Sequence, residues 1–290
     1  MKRSTLEKKI NIANDLMYYI YKYIDTYINL DELAEEFKIN KFYMHKIFKE
    51  IFGRNIYETI KAIRLQKAAT LLLTNHYSTA TEIANTCGYS SLTSFIPAFK
   101  ERFSMTPKKW RQGGFESYSK ELLGSSPNAS ISTASFDGIQ AEIVKMPEMT
   151  VYYIRHKGYE NNIRPTWQKL NAWIFSSDIQ EYTFVSLFHD NPAITPLLEC
   201  QHVACVVVDG GISPQNTKLP KLTISKGVFA KFDIEGKRGD ILKFIHWVYH
   251  KWLPKSDYET TTKPSYSIYR KHHHIDKDEL FDISFYLPIQ

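Results

Sequence analysis

The sequence predicts two domains: an all-α N-terminal domain carrying two helix-turn-helix motifs, and an α+β C-terminal domain built on a duplicated β-α-β-β repeat. Three observations predict them. First, Leu33-Ala34 followed by the run Asn40 to Lys49 is echoed by Ile83-Ala84 followed by Ser91 to Lys100, about fifty residues on and with one extra residue in the second turn. Each copy reads as a short helix, a tight turn and a second helix. Second, a stretch of small polar residues separates this half from the rest. Third, the texture beyond it changes to short alternating strands, interrupted by two helices. At 290 residues the chain has room for both domains.

The helical elements follow in order. Ile12, Leu16, Tyr19, Ile20, Tyr23 and Ile24 fall at helical spacing between Ile10 and Tyr27. Asn29 with Glu32 has capping-box spacing and opens a second helix, with Leu30, Leu33, Ala34 and Phe37 on its inner face. A third helix runs from about Lys41 to Phe52, buries Met44, Ile47, Phe48 and Phe52, and stops at Gly53. Ile56 to Leu73 is a long connecting helix. The pattern then restarts: Thr79 with Glu82 repeats the capping spacing, Ile83, Ala84 and Cys87 the inner face, and Phe95, Ala98, Phe99 and Phe103 the buried side of the next helix. Pro107, at a good helix-start position, closes the unit in Thr-Pro-Lys-Lys-Trp-Arg.

Lys41, Phe42, Tyr43, His45, Lys46 and Lys49 are left outward on the third helix. Lysine can meet phosphate or a guanine edge, histidine a base edge, and aromatic rings a thymine methyl or sugar. The same face would also suit a merely solvated helix; the repeat favours DNA. Pro97 departs from the pattern. Inside a helix beginning at Ser91 it should cost roughly 3 kcal/mol. With Ser94 as the cap it would fall in the first turn and be tolerated, so the expected helix is shortened or kinked at its front.

Gly113-Gly114 to Ser135 has no helical or strand face and reads as a linker at 113–135, between domains at 1–112 and 136–290. Beyond it, strands are expected at Ala141–Lys145, Thr150–His156, Thr183–Phe188, Ala204–Val208, Leu222–Ile224, Val228–Phe232, Ser265–Arg270 and Asp282–Leu287, with helices at Pro165–Ser176 and Asp240–Leu253. Tyr153 to Gly158 parallels Lys231 to Gly236, and each is followed by a helix with two tryptophans, Trp167 and Trp173 or Trp247 and Trp252. A pseudo-twofold arrangement of this kind makes a groove between its halves, and such grooves commonly bind ligands.

Charge divides the same way. Residues 1–114 hold 18 Lys and Arg against 11 Asp and Glu, whereas the remainder holds 19 against 20. A basic half beside a neutral one suits a polyanionic partner for the first alone. Three scattered cysteines argue against a disulfide framework and a zinc site. No apolar run reaches membrane-spanning length, and no apolar stretch follows the basic start, so the expectation is a cytoplasmic protein without a signal peptide. His272-His273-His274 reads as a solvated loop, His189-Asp190-Asn191-Pro192 as a turn, and neither as a metal or catalytic centre. No catalytic residue, metal or cofactor is expected.

The N-terminal half resembles the DNA-binding domain of AraC/XylS-type transcription regulators. The stretches that carry the resemblance are Leu-Asp-Glu-Leu-Ala, Lys-Ile-Phe-Lys-Glu-Ile-Phe-Gly, Ile-Arg-Leu-Gln-Lys-Ala-Ala-Thr-Leu-Leu, Glu-Ile-Ala-Asn-Thr-Cys-Gly-Tyr-Ser-Ser, Ala-Phe-Lys-Glu-Arg-Phe and Thr-Pro-Lys-Lys-Trp-Arg. The resemblance implies a bacterial regulator with seven helices here and two reading helices in successive major grooves of double-stranded DNA. It places base-edge contacts at Phe42, His45 and Lys46, and in the second copy at Leu92, Thr93, Ser94 and Pro97, where the family usually has a basic residue at the last. The DNA-binding candidates are Lys41, Phe42, Tyr43, His45, Lys46, Lys49, Ser91, Leu92, Thr93, Ser94 and Lys100. The uncharged second reading helix leaves most discrimination to the first.

The C-terminal half resembles the GyrI-like effector-binding domain. Tyr-Ile-Arg-His-Lys-Gly-Tyr at 153–159, Trp167, Phe-His-Asp-Asn-Pro at 188–192, Tyr266 with Tyr269, and the ending Phe-Tyr-Leu-Pro-Ile carry that resemblance. It implies an aromatic cleft for small, often cationic and lipophilic compounds, in which a glutamate often meets the cation. Here Ser267-Ile268-Tyr269 stands where the family reads Glu-x-Tyr, and Ser284 holds an acidic position near the end. Strand alternation puts Ser265, Ser267 and Tyr269 on one face, so a neutral or polar ligand, or none, is open. The candidate effector-binding residues are Tyr153, Trp167, Phe188, Trp247, Ser265, Ser267 and Tyr269. The expected function is a sequence-specific regulator modulated by a small-molecule effector, with RNA polymerase as a further partner. The competing readings make the C-terminal half a protein-contact module or a small-molecule hydrolase, though no acid/base pair stands out.

Overall fold

The structure is a computed structural model, and it describes residues 3–124, 134–159, 163–208, 219–237 and 239–290. Two compact units emerge, Met1–Leu72 with Ser78–Lys108, and Leu73–Tyr77 with Lys109–Gln290.

In the first unit α1 (Arg3–Lys22) begins before the expected Ile10, and α2 (Leu30–Glu36) starts at Asn29, whose side chain accepts from Asp31 N and whose amide donates to Glu32 at 2.8 Å. Asn40 caps α3 (Lys41–Phe52) by accepting from Tyr43 N at 2.7 Å, and Gly53 ends it at φ 73°. These helices close on α4 (Ile56–Thr74) through Leu16, Ile20, Leu33, Met44, Phe48 and Ile60. The second copy uses the same devices. Thr79 and Glu82 form a complete capping box for α5 (Ala80–Thr86), and α6 (Leu92–Phe103) buries Phe95, Phe99 and Phe103 as a ladder of rings 5.5 and 4.6 Å apart. Arg64 of α4 donates to the carbonyls of Ile24 (3.1 Å) and Thr26 (2.6 Å), and its guanidinium lies against Gly88, which holds φ +75°.

Two expectations need correction. Ser91, not Ser94, caps α6, and Pro97 sits within the continuous helix. The proline leaves the Thr93 carbonyl without its helical donor. Thr93 and Pro97 are both exposed, so water can take that carbonyl, while the buried phenylalanine ladder holds the opposite side. The first part of the stretch expected as a linker is also helical. After α7 (Pro107–Lys109) a π-turn at Trp110–Gly114 breaks at Gly113, φ 98°, and α8 (Phe115–Gly124) follows. Phe115 and Tyr118 pack on buried Trp110 at 5.9 and 5.2 Å, and Ser119 is buried. The paired glycines do break the helix, but the apolar spacing beyond them forms a new one. Residues 125–133 of the expected linker lie outside the described residues.

The second unit is one antiparallel eight-stranded sheet. Its strands are β1 (Glu142–Met146), β2 (Met149–Lys157), β3 (Tyr182–Phe188), β4 (Gln201–Val208), β5 (Lys221–Ile224), β6 (Gly227–Lys237), β7 (Ser265–Lys271) and β8 (Leu280–Pro288), in the order β1-β6-β8-β7-β3-β4-β2-β5. The order is symmetric about the β3–β7 pair. Each repeat keeps its last three strands together and lends its first to the other: β1 pairs with β6, and β5 with β2. The two repeats cannot separate without losing both edges. Helix α9 (Arg164–Ser176) follows β2, and α10 (Asp240–Trp247) follows β6 and continues through a π-turn to Trp252. Both cover one sheet face, α9 with Trp167, Leu170 and Ile174 against Tyr152, Ala204 and Val206, and α10 with Phe244, Ile245 and Val248 against Phe232, Ile283 and Phe285.

Candidate functional sites: two reading helices and a histidine-lined cavity

Alternation along α3 turns Met44, Ile47 and Phe48 inward and leaves Phe42, Tyr43, Lys46 and Lys49 exposed, Phe42 at 80%. Among the described residues Lys46, Lys49 and Lys100 carry no ion pair, whereas Lys41 is held by Asp31 at 2.9 Å. His45 is partly buried and stacks on exposed Tyr57, ring centroids 5.6 Å apart. Burial, with the Lys41 charge beside it, lowers the His45 pKa, so its imidazole is neutral. On α6, Ser91, Thr93, Ser94, Pro97 and Lys100 are exposed and Leu92 partly so. Tyr57 was not among the sequence candidates because it lies on the connecting helix; only its pairing with His45 brings it to this surface.

In the second unit a cavity of about 370 Å³ opens where the two helix-covered clusters meet. Tyr159 and Tyr269 pack against both clusters and line it. The segment before α9 contributes Ile163, α10 contributes Ile241, Leu242 and Ile245, and the sheet face contributes Phe188 and His202. Tyr159 is set in place by its backbone N–H, which donates to Leu197 O at 2.9 Å, directly after Gly158 turns at φ 93°. The turn at 189–195 is built as its residues suggest: Asn191 Oδ1 accepts from Ala193 N at 3.0 Å and the Asp190 carboxylate accepts from Gln201 N.

One hydroxyl joins the polar groups of the wall. Ser186 Oγ lies 2.9 Å from Tyr269 Oη and 2.9 Å from His202 Nε2. His202 is buried, and its Nδ1 has no hydrogen-bond partner among the described residues. Burial pushes the His202 pKa down to about 3 and the Tyr269 phenol up to about 12, so both are uncharged near neutrality. The three consecutive histidines differ from the solvated loop expected of them. They form the β7–β8 turn, all three are buried, and His273 and His274 line the cavity. His272 accepts from His274 N through Nδ1 at 3.2 Å and stacks on Tyr269 at 4.0 Å. Among the described residues no group of three or more His, Cys, Asp or Glu side chains could hold a metal ion.

Of the residues picked from sequence for this site, Phe188 and Tyr269 line the cavity. Trp167 stands behind it, its ring 5.7 Å from His202 and 5.8 Å from Tyr269. Ser265 and Ser267 share the Tyr269 face but are buried outside the lining, and Trp247 is partly exposed and donates to Asp137 at 3.2 Å. Tyr153 lies on the opposite sheet face, beneath Arg155. His202 escaped the sequence reading because the strand was begun at Ala204. Its parity with Ala204 and Val206 was the signal available.

A double helix-turn-helix unit followed by a pseudo-twofold sheet with a ring-lined cavity defines a class of protein, the helix-turn-helix head with a cavity-bearing α+β tail. Comparison with known proteins agrees. Residues 140–290 match the family described as GyrI-like small molecule binding domain, and residues 33–113 match a helix-turn-helix domain family. The chain belongs to the AraC/XylS-type regulators, and its larger part to the GyrI-like family. The xylose operon regulatory protein of Escherichia coli (strain K12) is 36% identical over 95 residues, 33% of this chain and 24% of that protein. The probable transcription factor PqrA of Proteus vulgaris is 30% identical over 106 residues, 36% of this chain and 86% of that protein. The match thus spans about a quarter of the xylose regulator's length and most of PqrA's. Among solved structures, the C-terminal domain of AraT, a response regulator from Geobacillus stearothermophilus, is 28% identical with a TM-score of 0.34, over 35% of this chain and 84% of that one. No helix among the described residues is long and apolar enough to cross a membrane.

Proposed function

We propose that this chain is a one-component, cytoplasmic transcription regulator that reads double-stranded DNA with α3 and α6 and whose activity changes when an uncatalysed, non-covalent ligand fills the cavity of the second unit. The observation that carries the reading is the pair of capped helices with exposed polar and aromatic faces on one chain, beside a unit with a preformed cavity. Lys46, Lys49 and Lys100 neutralise phosphates, Phe42 and His45 meet base edges or thymine methyls, and Leu92, Thr93 and Ser94 add apolar and hydroxyl contacts. Tyr43, Lys41 and Ser91 flank these contacts. The ligand acts by binding one state of the protein better than another, which shifts the population competent for DNA. RNA polymerase is a further partner in this reading. No cofactor or reaction is assigned to either unit, in keeping with relatives named as regulators.

Selection of DNA from a random pool by the full chain tests the reading. It should return one motif whose affinity falls steeply with salt. Lys46→Ala should reduce the slope of log affinity against log salt by about one. Enrichment of no motif, together with salt-independent binding, refutes the DNA assignment.

A further inference from the structure

We propose that the cavity takes an uncharged, ring-bearing molecule that carries a hydrogen-bond acceptor, and that His202 is the residue that reads the acceptor. This rests on the sensing role proposed above and adds the chemical class of the ligand.

The size and wall set the first limit. A volume of about 370 Å³ suits a small ring system, and the wall offers the rings of Tyr159, Phe188, Tyr269 and His202 between aliphatic side chains of α10.

Charge sets the second. Among the described lining residues Glu279 is the one Asp, Glu, Lys or Arg side chain; it is half exposed and lies 3.8 Å from Arg164 Nη1. Water and that arginine screen it. A cation entering the cavity would give up its hydration and meet no buried carboxylate, which is costly. An anion would meet no lysine or arginine in the lining, and the His202 imidazole is uncharged.

Proton order sets the third. Ser186 Oγ is the one hydrogen-bond partner of the buried Tyr269 phenol among the described residues, so the arrangement that satisfies the phenol makes Ser186 its acceptor. In that arrangement the Ser186 proton is left for His202 Nε2, 2.9 Å away. An imidazole that accepts at Nε2 carries its hydrogen on Nδ1. That N–H is the donor left without a partner among the described residues. A buried, unsatisfied donor is unfavourable, and a ligand oxygen or nitrogen that accepts from it recovers the loss. Tyr269 and Ser186 are positioning residues, because they fix the tautomer without needing to touch the ligand.

Four probes on one ring skeleton separate these limits: fluorene, fluorenone, fluorenone-2-carboxylate and 2-trimethylammoniofluorenone. Binding to the full chain is followed by tryptophan fluorescence and calorimetry. Fluorenone should bind at least tenfold tighter than fluorene, which lacks the acceptor, and tighter than either charged derivative. His202→Leu should remove the preference, so that fluorenone and fluorene bind the variant alike; His202→Gln, which keeps an N–H donor, should retain part of it. Ile245→Trp, which fills the cavity, should weaken every probe. Equal binding of fluorenone and fluorene by the wild-type chain overturns the proposal, as does fluorenone binding that survives Ile245→Trp. If a charged derivative binds tightest, the ligand class is wrong while the sensing role stands. If no probe binds, the sensing role itself fails. The wild-type ranking decides even where a variant does not fold.

Discussion

Pro97→Ala should stabilise the first unit, and the size of the gain tests how α6 begins. Proline at this place removes the N–H that would reach the Thr93 carbonyl and crowds that carbonyl with its ring. The full interior penalty relative to alanine is about 3 kcal/mol. Part of it is already relieved, because Thr93 is exposed and its carbonyl can bond to water. A gain of about 2 kcal/mol remains, a roughly thirtyfold shift in the folding equilibrium. For a unit of this size that raises the midpoint by on the order of 8 °C. Scanning calorimetry of the full chain should show one transition move and the other stay. Ser91→Ala gives the companion measurement, a loss of about 1 kcal/mol for removing the cap that accepts from Ser94 N. If Pro97→Ala is neutral while Ser91→Ala costs nothing, the helix starts beyond Ser94 in solution. In that case the face that presents Leu92 and Thr93 does not exist as a helix.

Three further outcomes follow from the same structure. Gly88→Ala should destabilise more than Gly53→Ala in urea titrations: both hold φ near +75°, but a Cβ at position 88 would sit 2.7 Å from the Arg64 guanidinium, which must give up its bonds to the Ile24 and Thr26 carbonyls to make room, and the one at 53 meets nothing within 4 Å. The strained backbone alone costs about 1 kcal/mol, so equal losses would mean that Arg64 does not pack there. Stability of the second unit should fall as pH drops below about 6.5, the usual histidine value. His202 and His250 are held near 3 and His272 near 2 by burial, so the unfolded chain takes up protons that the folded one refuses. The loss should approach about 1.4 kcal/mol per pH unit for each histidine, and a flat urea midpoint between pH 7 and 5 refutes their burial. In DNA binding, Lys46→Ala should weaken affinity more than Thr93→Ala; intact binding in the former with loss in the latter reverses the roles of the two reading helices.

Much of the fold was legible because its signals are local. Asn29, Thr79 and Gly53 mark helix ends by their own chemistry, and every expected strand of the second unit is present, although β4 begins at Gln201 rather than Ala204 and β6 runs on to Lys237 rather than stopping at Phe232. The failures have local causes too. Gly113-Gly114 breaks the chain, yet Phe115 and Tyr118 restart a helix because Trp110 offers them a surface, and that surface is made by the tertiary fold. At Pro97 propensity argued for a helix start beyond Ser94, and three buried phenylalanines on one side of α6 prevailed over it.

The cavity was harder to read, because period-2 alternation says which residues share a face but not which face the helices cover. On β2 the buried residues include both Tyr152 and Tyr153, so hydrophobicity cannot distinguish the faces. Only the α9 contacts to Tyr152 decide it, and they place Tyr153 away from the cavity. The histidine turn raises the same difficulty. Three adjacent imidazoles look like a solvated loop until the β7–β8 connection folds back over Tyr269 and Trp167, with His272 4.0 and 4.1 Å from their rings. The central pairing of the two repeats then brings the polar groups of the wall together. Because β3 and β7 meet at the centre of the sheet, Ser186 of one repeat reaches Tyr269 of the other and His202 of its own. A ligand that engages His202 therefore acts on both repeats at once, and loosening the β3–β7 pair should disturb the cavity even where no lining residue is changed.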